Sequence, residues 1–266
     1  NIEMSKKKID LLSIGGMILG LGGIGFGFYL EGGDFASLLA PSPLLIIGGG
    51  TFGATLITMN MNQVKEIPKL LKIIYTETQY DFQGLIANFS EWTKISRREG
   101  IVALGEITEK IEDPFVKRGL EYILEGNDYE TIKELLDKET ESISERHHKG
   151  ANVFESIGGF APTMGIIGAV LGLVVTLAGL GSSDISELGH GISVAFLATL
   201  MGIGLANLIV LPMAGKLKMK SDIELLYKTI AIEGILGLQA GQNPKTLRRK
   251  MVAYLPENMK EEKAGE

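Results

Sequence analysis

The chain contains no cysteine, which excludes disulfides, thiol nucleophiles and cysteine-ligated metal sites. Histidine is nearly as scarce. His147 and His148 stand side by side, not at the i,i+4 spacing of a helical metal site, and His190 has no second histidine near it. His190 therefore reads as an interfacial side chain. No phosphate-binding loop and no nucleophile elbow occur, so an enzymatic reading has no support. The run "GLGGIG" lies inside an apolar stretch, where helix packing explains it better than a nucleotide does. The net charge of -6 and the lack of a basic patch with interleaved aromatics argue against nucleic acid as a partner.

What the chain does have is segregated. Mean hydropathy is +0.20 although 22% of residues are charged, which requires the apolar residues to be gathered into runs. Four such runs stand out: Ile9 to Leu30, about Phe35 to Met59, Phe160 to Leu180, and Leu188 to Met213. Each has the roughly twenty residues that cross a bilayer as a helix. Few buried core helices are apolar all round for so long. The 35 glycines concentrate in these runs, as they do where helices approach closely in a membrane. The first run follows Lys6, Lys7 and Lys8 but lacks a small-residue cleavage pattern, so a retained span is expected and not a signal peptide.

Basic residues orient the spans. The connections Glu31 to Asp34 and Gly181 to Glu187 contain no Lys or Arg, whereas Lys65, Lys69, Lys72, Lys149, Lys216, Lys218 and Lys220 all fall on the opposite side. The expectation is an all-α polytopic membrane protein with four transmembrane helices, both termini cytoplasmic, and a large cytoplasmic helical domain between spans two and three. The division expected is a tail and hairpin over 1–59, a helical domain over 60–153, a second hairpin over 154–213 and C-terminal helices with a tail over 214–266.

In the middle region, Ile73, Ile74, Glu77, Tyr80 and Asp81 follow helical spacing. Gly84 to Lys110 continues it, with Leu85, Phe89, Trp92, Ile95, Val102 and Leu104 as the buried stripe. Glu112-Asp113-Pro114 breaks the pattern, a shorter helix runs to Leu124, and Asp128 caps a helix from Tyr129 that is long enough to enter span three. Ser221 to Ala240 reads as an amphipathic helix, Asn243-Pro244 caps a last one near Lys245 to Leu255, and Pro256 to Glu266 reads as disordered.

Spans three and four carry no charge between Pro162 and Pro212 apart from Asp184 and Glu187, with His190, at the outer hairpin. Intramembrane charge usually marks the carrier site of a transporter or pump. Transport would therefore need a titratable residue from another chain. Pro162 removes a backbone donor near the boundary, where Thr163 can bond the freed groups, and Pro212 sits at the corresponding depth of span four. Gly165, Ala169, Gly172, Gly202 and Ala206 form small-residue rows. Spacing alone leaves open whether the prolines act in a mechanism or merely mark helix ends.

The stretches "GGFAPTMGIIGAVLGLVVTLAGL", "GISVAFLATLMGIGLANLIVLPMAGKL" and "SRREGIVALGEI" resemble the third span, fourth span and cytoplasmic charged segment of the MotA branch of the MotA/TolQ/ExbB superfamily. Four spans favour that branch over TolQ and ExbB. The resemblance implies a flagellar motor stator subunit. Its partners would be a MotB-like subunit carrying the ion-binding Asp, further copies of itself in a pentameric ring, the rotor protein FliG and the bilayer. No cofactor is implied beyond the translocated ion.

The same resemblance makes Pro162 and Pro212 the residues that couple ion passage to movement and places Thr199 on the ion path. Ala169 falls where sodium-driven members have threonine and proton-driven members alanine. A dehydrated sodium ion needs several oxygen ligands, and a methyl supplies none, so proton use is expected. Arg97 matches the arginine that meets the rotor, with Arg98 beside it. The matching glutamate position is Gly105, a departure, and Glu106 follows. Arg98 and Glu106 have the family's spacing of eight residues, but Glu106 with Lys110 is also an ordinary surface pair. The alternatives are an ExbB- or TolQ-like energiser of envelope processes and a self-contained channel or transporter.

Overall fold

The computed structural model describes residues 7–179 and 185–260, so Asp184 and the end of span three at Leu180 lie outside the described residues. Two compact units emerge. One draws on residues 78–146 and the described residues from 220 onward, the other on 9–77 and 147–219.

The second unit holds the apolar spans. Helix α1 (Leu11–Leu30) buries none of its side chains, which fits a helix whose solvent is lipid. A 3₁₀ turn (Phe35–Leu39) leads into α2 (Pro41–Ile57), which turns Ile47, Thr51 and Thr55 inward. Asn60 then caps α3 (Met61–Ile74) in a reciprocal box with Gln63. Helical periodicity does not continue to Asp81 as its spacing suggested. The β-branched residues of Thr76–Thr78 (β2) instead pair with Lys7–Ile9 (β1), a two-stranded ribbon within an otherwise helical chain.

Span three is part of α7 (Tyr129–Ala178), a single helix of 50 residues, so Pro162 lies inside a helix and not at its entrance. Span four begins as α8 (Ile185–Gly204), passes through a π-helical turn (Leu205–Val210) and continues as α9 (Leu211–Gln239). The helix read at Ser221 to Ala240 is therefore the far part of α9. All four spans are helices long and apolar enough to cross a membrane. Below them, Ile74, Ala151, Phe154, Val210, Ala214 and Leu217 form a buried collar.

The first unit packs α4 (Phe82–Glu99), α6 (Pro114–Leu124), α10 (Pro244–Ala253) and portions of α7 and α9 around one core. Caps fix where these helices begin. Asp81 accepts from the Gly84 N–H at 2.8 Å, Asp113 from Phe115 at 2.8 Å and Asp128 from Thr131 at 2.9 Å. Phe89 and Trp92 meet edge to face at 4.9 Å. Each such buried ring contributes about 1.5–3 kcal/mol by transfer from water. Gly234 of α9 lies under Phe89, where a β-carbon would stand 2.6 Å from the ring, so only glycine lets the helices close.

Helix α4 stops at Gly100, whose φ of +86° belongs to glycine. The next residues form a 3₁₀ turn (Ile101–Leu104) and then α5 (Gly105–Glu109). One helix over Gly84 to Lys110 is thus ruled out, and Val102, expected in the buried stripe, is 86% exposed while Leu104 enters the core. The tail also differs from expectation. Glu257–Lys260 form a helical turn, α11, and the Gln83 side-chain amide donates to the Met259 carbonyl at 2.9 Å.

Candidate functional site at the seam of two apolar helices

Helices α7 and α8 meet through their smallest residues. A β-carbon on Gly165 would lie 2.9 Å from the Ala198 carbonyl oxygen, and one on Gly202 only 2.5 Å from that of Ala161. Gly168 faces Ala198, and Gly172 faces Ala195. The row on α7 is therefore Ala161, Gly165, Gly168 and Gly172, alternating steps of four and three as helix geometry requires. Ala169, read as part of this row, stands one residue beyond it. Close backbone approach of this kind is how membrane helices gain packing energy when lipid offers no hydrophobic drive.

Pro162 and Ala169 are seven residues apart and share a half-buried face beside the seam. Thr199 lies between their levels, its α-carbon 3.3 Å from the β-position of Gly165. The structure thus brings Pro162, Ala169 and Thr199 together on the flank of one helix pair. The rest of α7 in this region remains apolar and uncovered, including Ile166, Val170, Val174 and Val175.

Each proline weakens its helix differently. Pro162 leaves the Gly158 carbonyl without its helical donor. The Thr163 hydroxyl donates at 2.7 Å to the Phe160 carbonyl, not to the freed one. Pro212 follows the π turn, and the Asn207 amide in that turn donates to the Ile203 carbonyl of α8 at 3.0 Å. Such bulges sit where helices bend. Gly158, one turn before Pro162, packs against the Leu211 side chain, next to Pro212, so the two weak points share a layer.

The described parts of these helices hold no acid or base from Phe160 to Gly179 or from Gly191 to Gly215. Glu187 and His190 are exposed on the first turns of α8. The seam can pack and bend but supplies no ionisable carrier.

In the other unit, Arg97 and Arg98 are exposed on the last turn of α4, where cations also suit the helix dipole. Glu106 is exposed in the first turn of α5. The break at Gly100 means that the spacing of eight between Arg98 and Glu106 does not set an angle on one helix. All three still point to solvent, as groups meeting a partner must.

Two features escaped the sequence. One is the π turn. The other is Asp10, which lies within the first apolar run yet ends up 3% exposed. Its carboxylate accepts from the Ser13 N–H at 3.0 Å and pairs with Lys216 at 2.5 Å. An acid directly before an apolar helix is a capping signal and was readable as such.

Known proteins resemble the chain over nearly its whole length. Residues 107–230 match the MotA/TolQ/ExbB proton channel family, and residues 14–100 match the motility protein A N-terminal family. Motility protein A of Bacillus subtilis is 39% identical over 93% of this chain and 92% of its own. Motility protein A of Helicobacter pylori is 34% identical over 93% and 95%. A chain in the structure of the flagellar MotAB stator complex from Bacillus subtilis superposes with a TM-score of 0.88 at 37% identity, covering 95% of this chain and 98% of that one.

Proposed function

Because the chain belongs to the MotA/TolQ/ExbB proton channel family, we propose that it is the A-type subunit of a flagellar stator, which forms an ion channel with a MotB-type partner and turns ion flow into torque on the rotor. The observation that carries this reading is the acid-free seam. Helices α7 and α8 offer a packed, bendable wall and no carrier, so the carrier comes from the partner named in the related complex. The chain is a membrane channel and motor component, and no reaction step is assigned to it.

The assembly is a ring of these chains, a pentamer, around the partner's spans in the bacterial inner membrane, with both termini cytoplasmic. The uncovered apolar face of α7 supports this, since it offers contact area to lipid and to other spans. The four-part division at 59, 153 and 213 follows the same topology.

In the mechanism, protonation of the partner's aspartate changes the charge beside Pro162, Ala169 and Thr199. A buried charge in a low-dielectric wall is costly, so the helices rearrange when it disappears. Pro162 and Pro212 supply the bends. Thr199 offers a hydroxyl to the path, and the methyl of Ala169 withholds one, which favours the proton over sodium. Arg97, Arg98 and Glu106 carry the motion to FliG by charge contact.

A host lacking its own A subunit, given this chain with its B partner, tests the reading through swimming speed. Speed abolished by a protonophore and indifferent to sodium is the expected result. Speed that tracks sodium and survives the protonophore refutes proton use. Rescue only with a partner of ExbD or TolR type, without rotation, favours the envelope energiser.

A further inference from the structure

Asp10 has no place in the mechanism above, yet among the described residues it is the one acid sealed away at the foot of the spans, with Lys216 against it at 2.5 Å. Its own N–H donates to the Tyr75 carbonyl at 3.0 Å, so the residue is held from both backbone and side chain. Burial alone would raise its pKa, but Lys216 and the Ser13 N–H bring it down to about 2. Both contacts favour the charged carboxylate.

Lys216 stands one helical turn beyond Pro212. Two further contacts grip the same segment of α9. Lys218 pairs with Glu155 of α7 at 2.5 Å, and Ala214 and Leu217 are buried in the apolar collar. On the other side of Pro212 lie the π turn and the glycine seam, where the helix departs from regular α geometry. A buried ion pair adds little net stability over an apolar pair of the same volume, and its best-attested use is to fix a geometry.

We infer that Asp10 and Lys216 form an anchor between the start of α1 and the base of α9, which makes Asp10 a positioning residue for the ion-driven movement. With the base of α9 held, bending at the π turn and Pro212 moves α8 against a fixed point. Without the anchor, the same bend is lost in rotation of the base. This inference rests on the stator reading.

Asp10→Asn is the discriminating variant, because asparagine caps a helix as well as aspartate but cannot form the ion pair. Lys216→Gln removes the other partner. In the complex with its B partner, each substitution is expected to leave the number of membrane-incorporated units unchanged. Torque per unit should fall by roughly twofold or more, at the low end of coupling between contacting residues, with the double variant no worse than either single one. Normal torque per unit, or a loss explained wholly by fewer units, overturns the anchor.

A second measurement is independent of rotation. The chain has no cysteine, so Leu12→Cys and Met219→Cys introduce the sole thiols, both at exposed positions near the two ends of the anchor. Spin labels there should report a broader or shifted distance in Asp10→Asn than in its parent, in the purified complex. An unchanged distribution overturns the inference even if the chain drives no rotor. Failure of the parent to drive rotation, with the distance shift present, sinks the stator reading alone.

Discussion

Gly202→Ala should damage this protein far more than adding one methyl to a helix normally does. The new β-carbon would lie 2.5 Å from the Ala161 carbonyl oxygen and 3.0 Å from the Gly165 α-carbon. Both are backbone atoms, so no side chain can rotate away. Ordinary contact begins near 3.4 Å, which leaves the helices 0.9 Å too close at that level. A gap of that size along the seam forfeits about a quarter to a half of the dispersion attraction. Overpacking of this kind costs about 1–3 kcal/mol. That is a factor of roughly 5 to 140 in the folding equilibrium, since about 1.4 kcal/mol is tenfold.

The control is Gly159→Ala, two residues before Ala161 on an exposed face of α7, with no heavy atom within 4 Å of the added carbon. There alanine should gain about 0.5–1 kcal/mol from helix propensity alone. Thermal unfolding of the purified complex separates the two effects, with Gly202→Ala several degrees below its parent and Gly159→Ala at or above it. If Gly202→Ala unfolds no lower than Gly159→Ala, the backbone contact at the seam is wrong.

Arg97→Glu should incorporate normally and swim poorly, because the exposed last turn of α4 touches no core and such changes move stability by about 0.5 kcal/mol or less. Normal swimming in that variant argues against a rotor contact. Gly100→Ala places a β-carbon at φ +86°, at a cost of about 1–2 kcal/mol, and should lower the unfolding temperature without altering membrane incorporation. The Asp10 carboxyl is held at about 2 against an ordinary 3.8. Its stabilisation is therefore complete above about pH 4 and is lost as pH falls through about 2, a slope that Asp10→Asn should lack in acid unfolding of the purified complex.

The spans were legible because runs of this length and composition have one physical use. The cap residues Asp128 and Asn243 were legible because short acceptors before apolar periodicity satisfy free amides, whereas Asp113 read only as a break and proved to cap α6. What misled was continuity of pattern. Val102 and Leu104 extend the apolar period of α4, and nothing local says that Gly100 takes a positive φ. The small-residue row was seen as Gly165, Ala169 and Gly172, stepping four and then three, which placed Ala169 in the seam when Gly168, three beyond Gly165, is the contact. The π turn has no signature except Pro212 after it. The Asp10–Lys216 pair joins opposite ends of the chain, and no periodicity reports such a contact.

The two prolines are linked by a side chain, and that link separates folding from function. A β-carbon on Gly158 would stand 2.4 Å from Leu211 Cδ2 and 2.7 Å from its Cγ. Unlike the carbonyl facing Gly202, these atoms belong to the flexible end of a side chain and can shift. Gly158→Ala should therefore fold and incorporate as its parent does, while pushing Leu211, the residue before Pro212. Gly158 carries the carbonyl that Pro162 leaves free, so a change of bend at Pro162 reaches Pro212 through this contact. Coupling of that kind needs two elements with two arrangements each and a contact that biases both. Torque per unit should fall in Gly158→Ala at unchanged unit number. If torque holds while Leu211 has moved, the prolines bend independently and the seam, not this contact, joins them.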